Sequence, residues 1–69
     1  MKSDYLVFRF IKKFIANNGY APTVREISEG VWMNISVVHK YTRQLRDKGI
    51  ITYIDKSART IKILEDYHE

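Results

Sequence analysis

One small domain, mainly α-helical and closed by a β-hairpin in the order α, α, α, β, β, is the fold that this sequence predicts. Three observations predict it. Apolar residues recur every third or fourth position through three separate stretches, which is the period of an amphipathic helix. Those stretches are divided by residues that stop or start helices. After Gly49 the pattern changes to runs rich in β-branched and aromatic residues, two of them with turn-forming residues between.

The first helix is expected over Ser3 to Asn18, where Val7, Phe8, Ile11, Phe14 and Ile15 share one face. Ser3 or Asp4 is expected to cap its start by accepting a free backbone N–H, and Asn17-Asn18-Gly19 supplies a left-handed stop. Pro22 then biases Ala21 towards an extended conformation. Thr23-Val24-Arg25-Glu26 reads as a capping box, in which hydroxyl and carboxylate each satisfy the other residue's N–H. It opens a helix of roughly two turns with Val24, Ile27 and Val31 as its stripe and Gly30 lowering propensity near the end. Trp32, with Met33, reads either as an exposed partner-binding patch or as core; as a single aromatic beside two short helices it is expected in the core.

Asn34 is the expected N-cap of a third helix, in which Val38, Tyr41, Thr42 and Leu45 form the apolar stripe and Gly49 marks the end. Ser36, Val37, His39, Lys40, Arg43 and Asp47 are displaced from that stripe, so this helix presents a basic, exposed face. Ile50-Ile51-Thr52-Tyr53-Ile54 and Arg59-Thr60-Ile61-Lys62-Ile63-Leu64 are the two predicted strands, joined by Asp55-Lys56-Ser57-Ala58 as the turn. With a short connection between the second and third helices, this order describes a winged helix-turn-helix.

Composition limits what such a domain does. Its 69 residues hold one domain, assigned to residues 1–64, with an acidic tail over 65–69 that is expected to fray. Hydrophobic residues at 45% and charged residues at 29% exclude the composition of a disordered chain. Cysteine is absent, so neither a disulfide framework nor a thiolate metal site is available, and a cytoplasmic setting is expected. Arg9, Lys12 and Lys13 interrupt the N-terminal apolar stretch, and no run approaches the roughly 20 apolar residues of a membrane span. No membrane partner is expected.

The positive charge is uneven. Residues 1–34 carry five Lys/Arg and three Asp/Glu (+2), residues 35–64 seven and two (+5), and the last five residues −3, which together make the net +4. The excess coincides with the third helix and the hairpin, as a face directed at a polyanion requires.

Ala21-Pro22-Thr23-Val24-Arg25-Glu26-Ile27, together with Leu45-Arg46-Asp47-Lys48-Gly49-Ile50-Ile51 and an Arg five residues before the end of the second strand, closely resembles the DNA-binding domain of LexA-type SOS repressors. The resemblance covers nearly the whole chain to Leu64. It implies a DNA-binding transcriptional regulator for double-stranded DNA, with the first half of the third helix in the major groove and the wing on the backbone or minor groove. Base-reading positions are then Ser36, Val37, His39, Lys40 and, one turn on, Arg43. Wing contacts are Lys56 and Arg59, and Lys48 is a further phosphate contact. Two copies, or a second protein, on a palindromic site are expected to supply specificity.

Two departures from that family are visible. Its turn between the second and third helices usually carries a Gly, whereas Val31-Trp32-Met33-Asn34 reads as one residue shorter, with Trp32 at or beside the place of a family aromatic. Nothing of the C-terminal peptidase domain, which carries a Ser-Lys dyad, is present in these residues, so no self-cleavage is expected of them. The chain is read as an excised domain or a short relative. Neither the SOS operator nor the damage-triggered switch is carried over.

No enzyme, cofactor, metal or small-molecule substrate is expected. The three glycines form no phosphate loop, no nucleophile motif occurs, and His39 has no ligand at metal spacing beside it, so a base or phosphate contact is preferred for it. The competing expectation is a winged-helix protein-interaction module that modulates a repressor or polymerase without reading DNA. A basic third helix favours the DNA reading.

Overall fold

The apolar stripes of all three helices converge on one core. In the computed structural model, which describes residues 2–68, α1 (Ser3–Asn18), α2 (Val24–Val31) and α3 (Ile35–Asp47) are followed by β1 (Ile51–Thr52) and β2 (Lys62–Ile63). Val7, Phe8 and Ile11 of α1 meet Ile27 of α2, Val38 and Leu45 of α3, and Ile50, Ile51 and Ile61 from the hairpin. The predicted fold class and element order are observed. No described helix is long and apolar enough to cross a membrane.

Most helix ends lie where local chemistry places them. Thr23 Oγ1 accepts the Glu26 N–H at 3.1 Å while Glu26 Oε1 accepts the Thr23 N–H at 2.8 Å, which completes the capping box. Asn34 Oδ1 accepts the Val37 N–H at 3.0 Å. At the end of α3, the Gly49 N–H reaches the Arg46 carbonyl and the Ile50 N–H the Leu45 carbonyl, both at 3.0 Å. That pair of bonds is a Schellman motif; it needs the left-handed Gly49 (φ 78°), and it turns Ile50 back into the core against Leu45.

The start of α1 departs from expectation. Its N-cap is Lys2, whose side chain makes no capping bond, and Asp4 lies inside the first turn with its carboxylate buried. The side chain is drawn inward by Lys48 and Tyr67, whose Nζ and hydroxyl donate to it at 2.7 and 2.9 Å. Within the tail expected to fray, Tyr67 packs on Tyr5 and Phe8 with centroids 5.0 and 5.9 Å away. Glu69, also part of that expectation, lies outside the described residues.

The hairpin is shorter than predicted. Only Ile51↔Ile63 and Thr52↔Lys62 pair, antiparallel. Beyond them the Ile54 N–H is taken by Thr60 Oγ1 at 2.9 Å, and Lys56 and Arg59 adopt φ 62° and 58°, so side-chain bonds and left-handed residues replace the ladder.

Trp32 is not in the core; it is 93% exposed. It ends α2 in the left-handed conformation (φ 60°, ψ 41°), its N–H bonded to the Ser28 carbonyl, which also accepts the Met33 N–H at 3.2 Å. This conformation costs an L side chain on the order of 1–2 kcal/mol and is one that glycine adopts readily. Val31 and Met33 turn inward while the indole is held out.

Gly30 has a packing role that propensity does not show. A Cβ there would lie 2.0 Å from the Phe10 ring, so α1 and α2 approach through the missing side chain. Gly30→Ala would ordinarily stabilise a helix by about 1 kcal/mol. Here it is expected to destabilise, because displacing Phe10 costs about 1–3 kcal/mol. Urea denaturation checks the sign, and Phe10→Leu should suppress the penalty.

Candidate nucleic-acid interface

With about 100° between successive residues, α3 turns Val38, Thr42 and Leu45 into the core. Ser36, Lys40, Arg43 and Asp47 then stand on the opposite side, with His39 on one flank and Val37 on the other. Ser36 Oγ donates to the capping Asn34 Oδ1 at 2.9 Å, and Lys40 Nζ lies 5.6 Å from the Tyr41 ring centre. His39 and Arg43 have exposed side chains.

His39 and Arg43 also form one wall of a groove of about 680 Å³. Thr23 and Arg25, at the start of α2, form a second wall, and Lys56 and Ser57, at the hairpin tip, a third. Ser36, Val37 and Lys40 stand outside this groove, so Arg43 joins the outer face of α3 to it. Arg25 is a basic residue of the groove that the sequence pattern did not single out. Its signal lay in the capping-box motif, where it sits within the first turn of a helix beside the basic third helix.

The expected wing and phosphate contacts divide. Lys56 is exposed at the hairpin tip and makes no ion pair among the described residues. Lys48 bonds the buried Asp4 carboxylate and lies 5.5 Å from the Tyr67 ring centre. Arg59 donates to both Glu26 oxygens at 2.9 and 3.2 Å and to the Ala21 carbonyl at 3.0 Å, over the Tyr20 ring at 4.8 Å. The Thr23 N–H and then the Arg59 guanidinium hold the Glu26 carboxyl below its ordinary range. Arg46 ties α3 to the hairpin in a similar way, through Asp55 at 2.9 Å and the Tyr53 ring at 4.3 Å.

Arg59 thus bolts the hairpin to the start of α2. Were the guanidinium on a DNA phosphate, Arg59→Ala would reduce the salt slope of DNA binding by about 0.9. As a bolt within the fold, its removal should leave the slope unchanged and weaken binding by about tenfold or less, the range of a partly exposed ion pair. Salt titrations of the variant separate the two, and Glu26→Gln should be non-additive with it.

A third helix with a basic outer face, preceded by a tight turn and flanked by a hairpin whose tip shares its groove, defines a winged helix-turn-helix DNA-binding domain. The LexA DNA binding domain family matches this chain over residues 3–60. The chain is 41% identical over 61 residues to the LexA repressor of Clostridium novyi and 39% identical over 61 residues to that of Bacillus subtilis. Each match covers 87% of this chain and 30% of the relative. The Bacillus licheniformis LexA repressor is 39% identical over 64 residues, 91% of this chain and 31% of its own length. The chain belongs to the LexA DNA-binding domain family, and it spans less than a third of the curated relatives it matches.

Proposed function

We propose that this domain binds double-stranded DNA sequence-specifically in the cytoplasm and takes part in repressing transcription; its relatives carry the word repressor in their names. Lys40 and Arg43 hydrogen-bond guanine O6 and N7 in the major groove, Val37 packs on a thymine methyl, and Ser36 and His39 contact bases or phosphates. Lys56 and Arg25 neutralise backbone phosphates. Lys48 and Arg59, expected on phosphates from the sequence, hold α1 and the hairpin in place. The domain binds and carries out no reaction of its own. Two copies on a palindrome supply the specificity that one small half-site interface lacks.

One observation carries this reading. Arg25, Arg43 and Lys56 converge on one groove and make no ion pair among the described residues, whereas Lys12, Arg46, Lys48 and Arg59 are paired. Arg25 and Lys56, the two of these assigned to phosphates, release counterions with a slope of about −2 in log affinity against log salt. Fluorescence anisotropy with a labelled duplex across a salt series should show it. A slope near zero, or no binding at low salt, overturns the proposal.

A further inference from the structure

Trp32 is the most exposed large apolar side chain among the described residues, and the backbone holds it out. Its left-handed turn is closed by two N–H groups on the Ser28 carbonyl and by the Ser28 hydroxyl donating to the Met33 carbonyl. The indole borders a second groove, of about 320 Å³, between α1 and α2. Leu6, Phe10 and Val31 supply apolar lining, and Arg9 and Lys13, four residues apart on one side of α1, supply its cations. Neither cation forms an ion pair among the described residues, although Lys12 between them pairs with Asp66. This groove shares no lining residue with the one at α3 and the hairpin.

We propose that this second groove is a docking site for an acidic segment of another protein that carries a large apolar side chain. The apolar side chain covers Trp32 and Phe10, and flanking carboxylates pair with Arg9 and Lys13. An aromatic anchor inside a charged rim is how compact protein interfaces concentrate their affinity. Charge complementarity selects an acidic partner. Duplex DNA also carries negative charge, but it offers no side chain for the Leu6, Phe10 and Val31 lining. A second copy's tail has the acidic composition, yet its Tyr67 is already engaged with Asp4, Tyr5 and Phe8. Such a partner explains an exposed aromatic in a conformation that glycine adopts with less strain, for which no ring contact among the described residues accounts.

The test titrates the whole chain into a labelled amphipathic peptide in which Glu and Asp alternate with Leu and Phe. Saturable binding that weakens with salt is expected, with the emission of Trp32, the only tryptophan, moving to the blue. Arg9→Glu with Lys13→Glu should weaken it by about tenfold or more, the scale of one or two charge-assisted contacts. Trp32→Gly, which keeps the left-handed turn, should do the same in anisotropy while melting no earlier than the wild type. Saturating duplex DNA should leave peptide binding unchanged, so failure here is separable from failure of the DNA reading. Absent binding, or binding indifferent to charge reversal, overturns the proposal. Displacement of the peptide by DNA, or a blue shift from self-association without peptide, overturns it in favour of nucleic acid or a second copy.

Discussion

Replacing Lys40 and Arg43 together with alanine is expected to weaken binding to a duplex selected from a random library by on the order of 30-fold or more. Each bidentate contact to a guanine edge contributes about 1–3 kcal/mol of discrimination, and every 1.4 kcal/mol is about tenfold. Both side chains are exposed and outside the core, so the thermal midpoint should hold, as it does for most surface substitutions. The loss should be larger on the selected duplex than on an unrelated one, because phosphate contacts from Arg25 and Lys56 persist on any sequence. Equal loss on both duplexes would make the two residues phosphate contacts. No loss would move the reading surface away from α3.

Asp4→Asn is expected to destabilise the fold through a single pair of lost charge-assisted bonds. The carboxylate is 4% exposed and takes bonds from Lys48 Nζ and the Tyr67 hydroxyl, so it ties the start of α1 to the end of α3 and to the tail. Removing its charge leaves the Lys48 ammonium, whose side chain is only 33% exposed, without that carboxylate. A cost of about 1–3 kcal/mol follows, less than for a wholly buried pair because water reaches Lys48. For a domain this small that is a fall in Tm of roughly 5–20 °C.

The pH dependence has a definite sign. Burial by itself pushes the Asp4 carboxyl up, but the bonds from Lys48 and Tyr67 and the Lys48 charge outweigh it and hold the carboxyl below its usual value of 3.8. A depressed carboxyl contributes stability that is complete above its unfolded value and lost as pH falls through the folded one. The wild type should therefore exceed Asp4→Asn most at neutral pH and lose that advantage only in strong acid. Thermal melts of both proteins from pH 7 down to about pH 2 check this. An advantage that persists undiminished in acid would refute the charge-based account.

The three helices, their order and most of their ends could be read directly because each depends on residues within one or two turns. A stripe at helical spacing, Thr23 against Glu26, Asn34 against Val37, and a glycine after Lys48 are all local devices. The basic outer face of α3 was legible for the same reason, since helical geometry alone separates Lys40 and Arg43 from Val38 and Leu45. Arg25 belonged to a legible motif, but its place in the groove depended on how α2 packs against α3.

What the chain's residue pattern determined by itself is therefore the set of helices, the presence of a hairpin and the basic outer face of α3. Tertiary structure decided which cations remain available to a partner. Lys48 meets Asp4 across 44 positions of sequence and Arg59 meets Glu26 across 33, so two residues expected on phosphates are each paired within the fold. It also decided that the ladder stops at two pairs and that Trp32 points outward. The physical reason is common to these cases. Periodicity and capping report interactions between near neighbours, whereas the pairing of a charge and the burial of a ring depend on what the rest of the chain brings beside them.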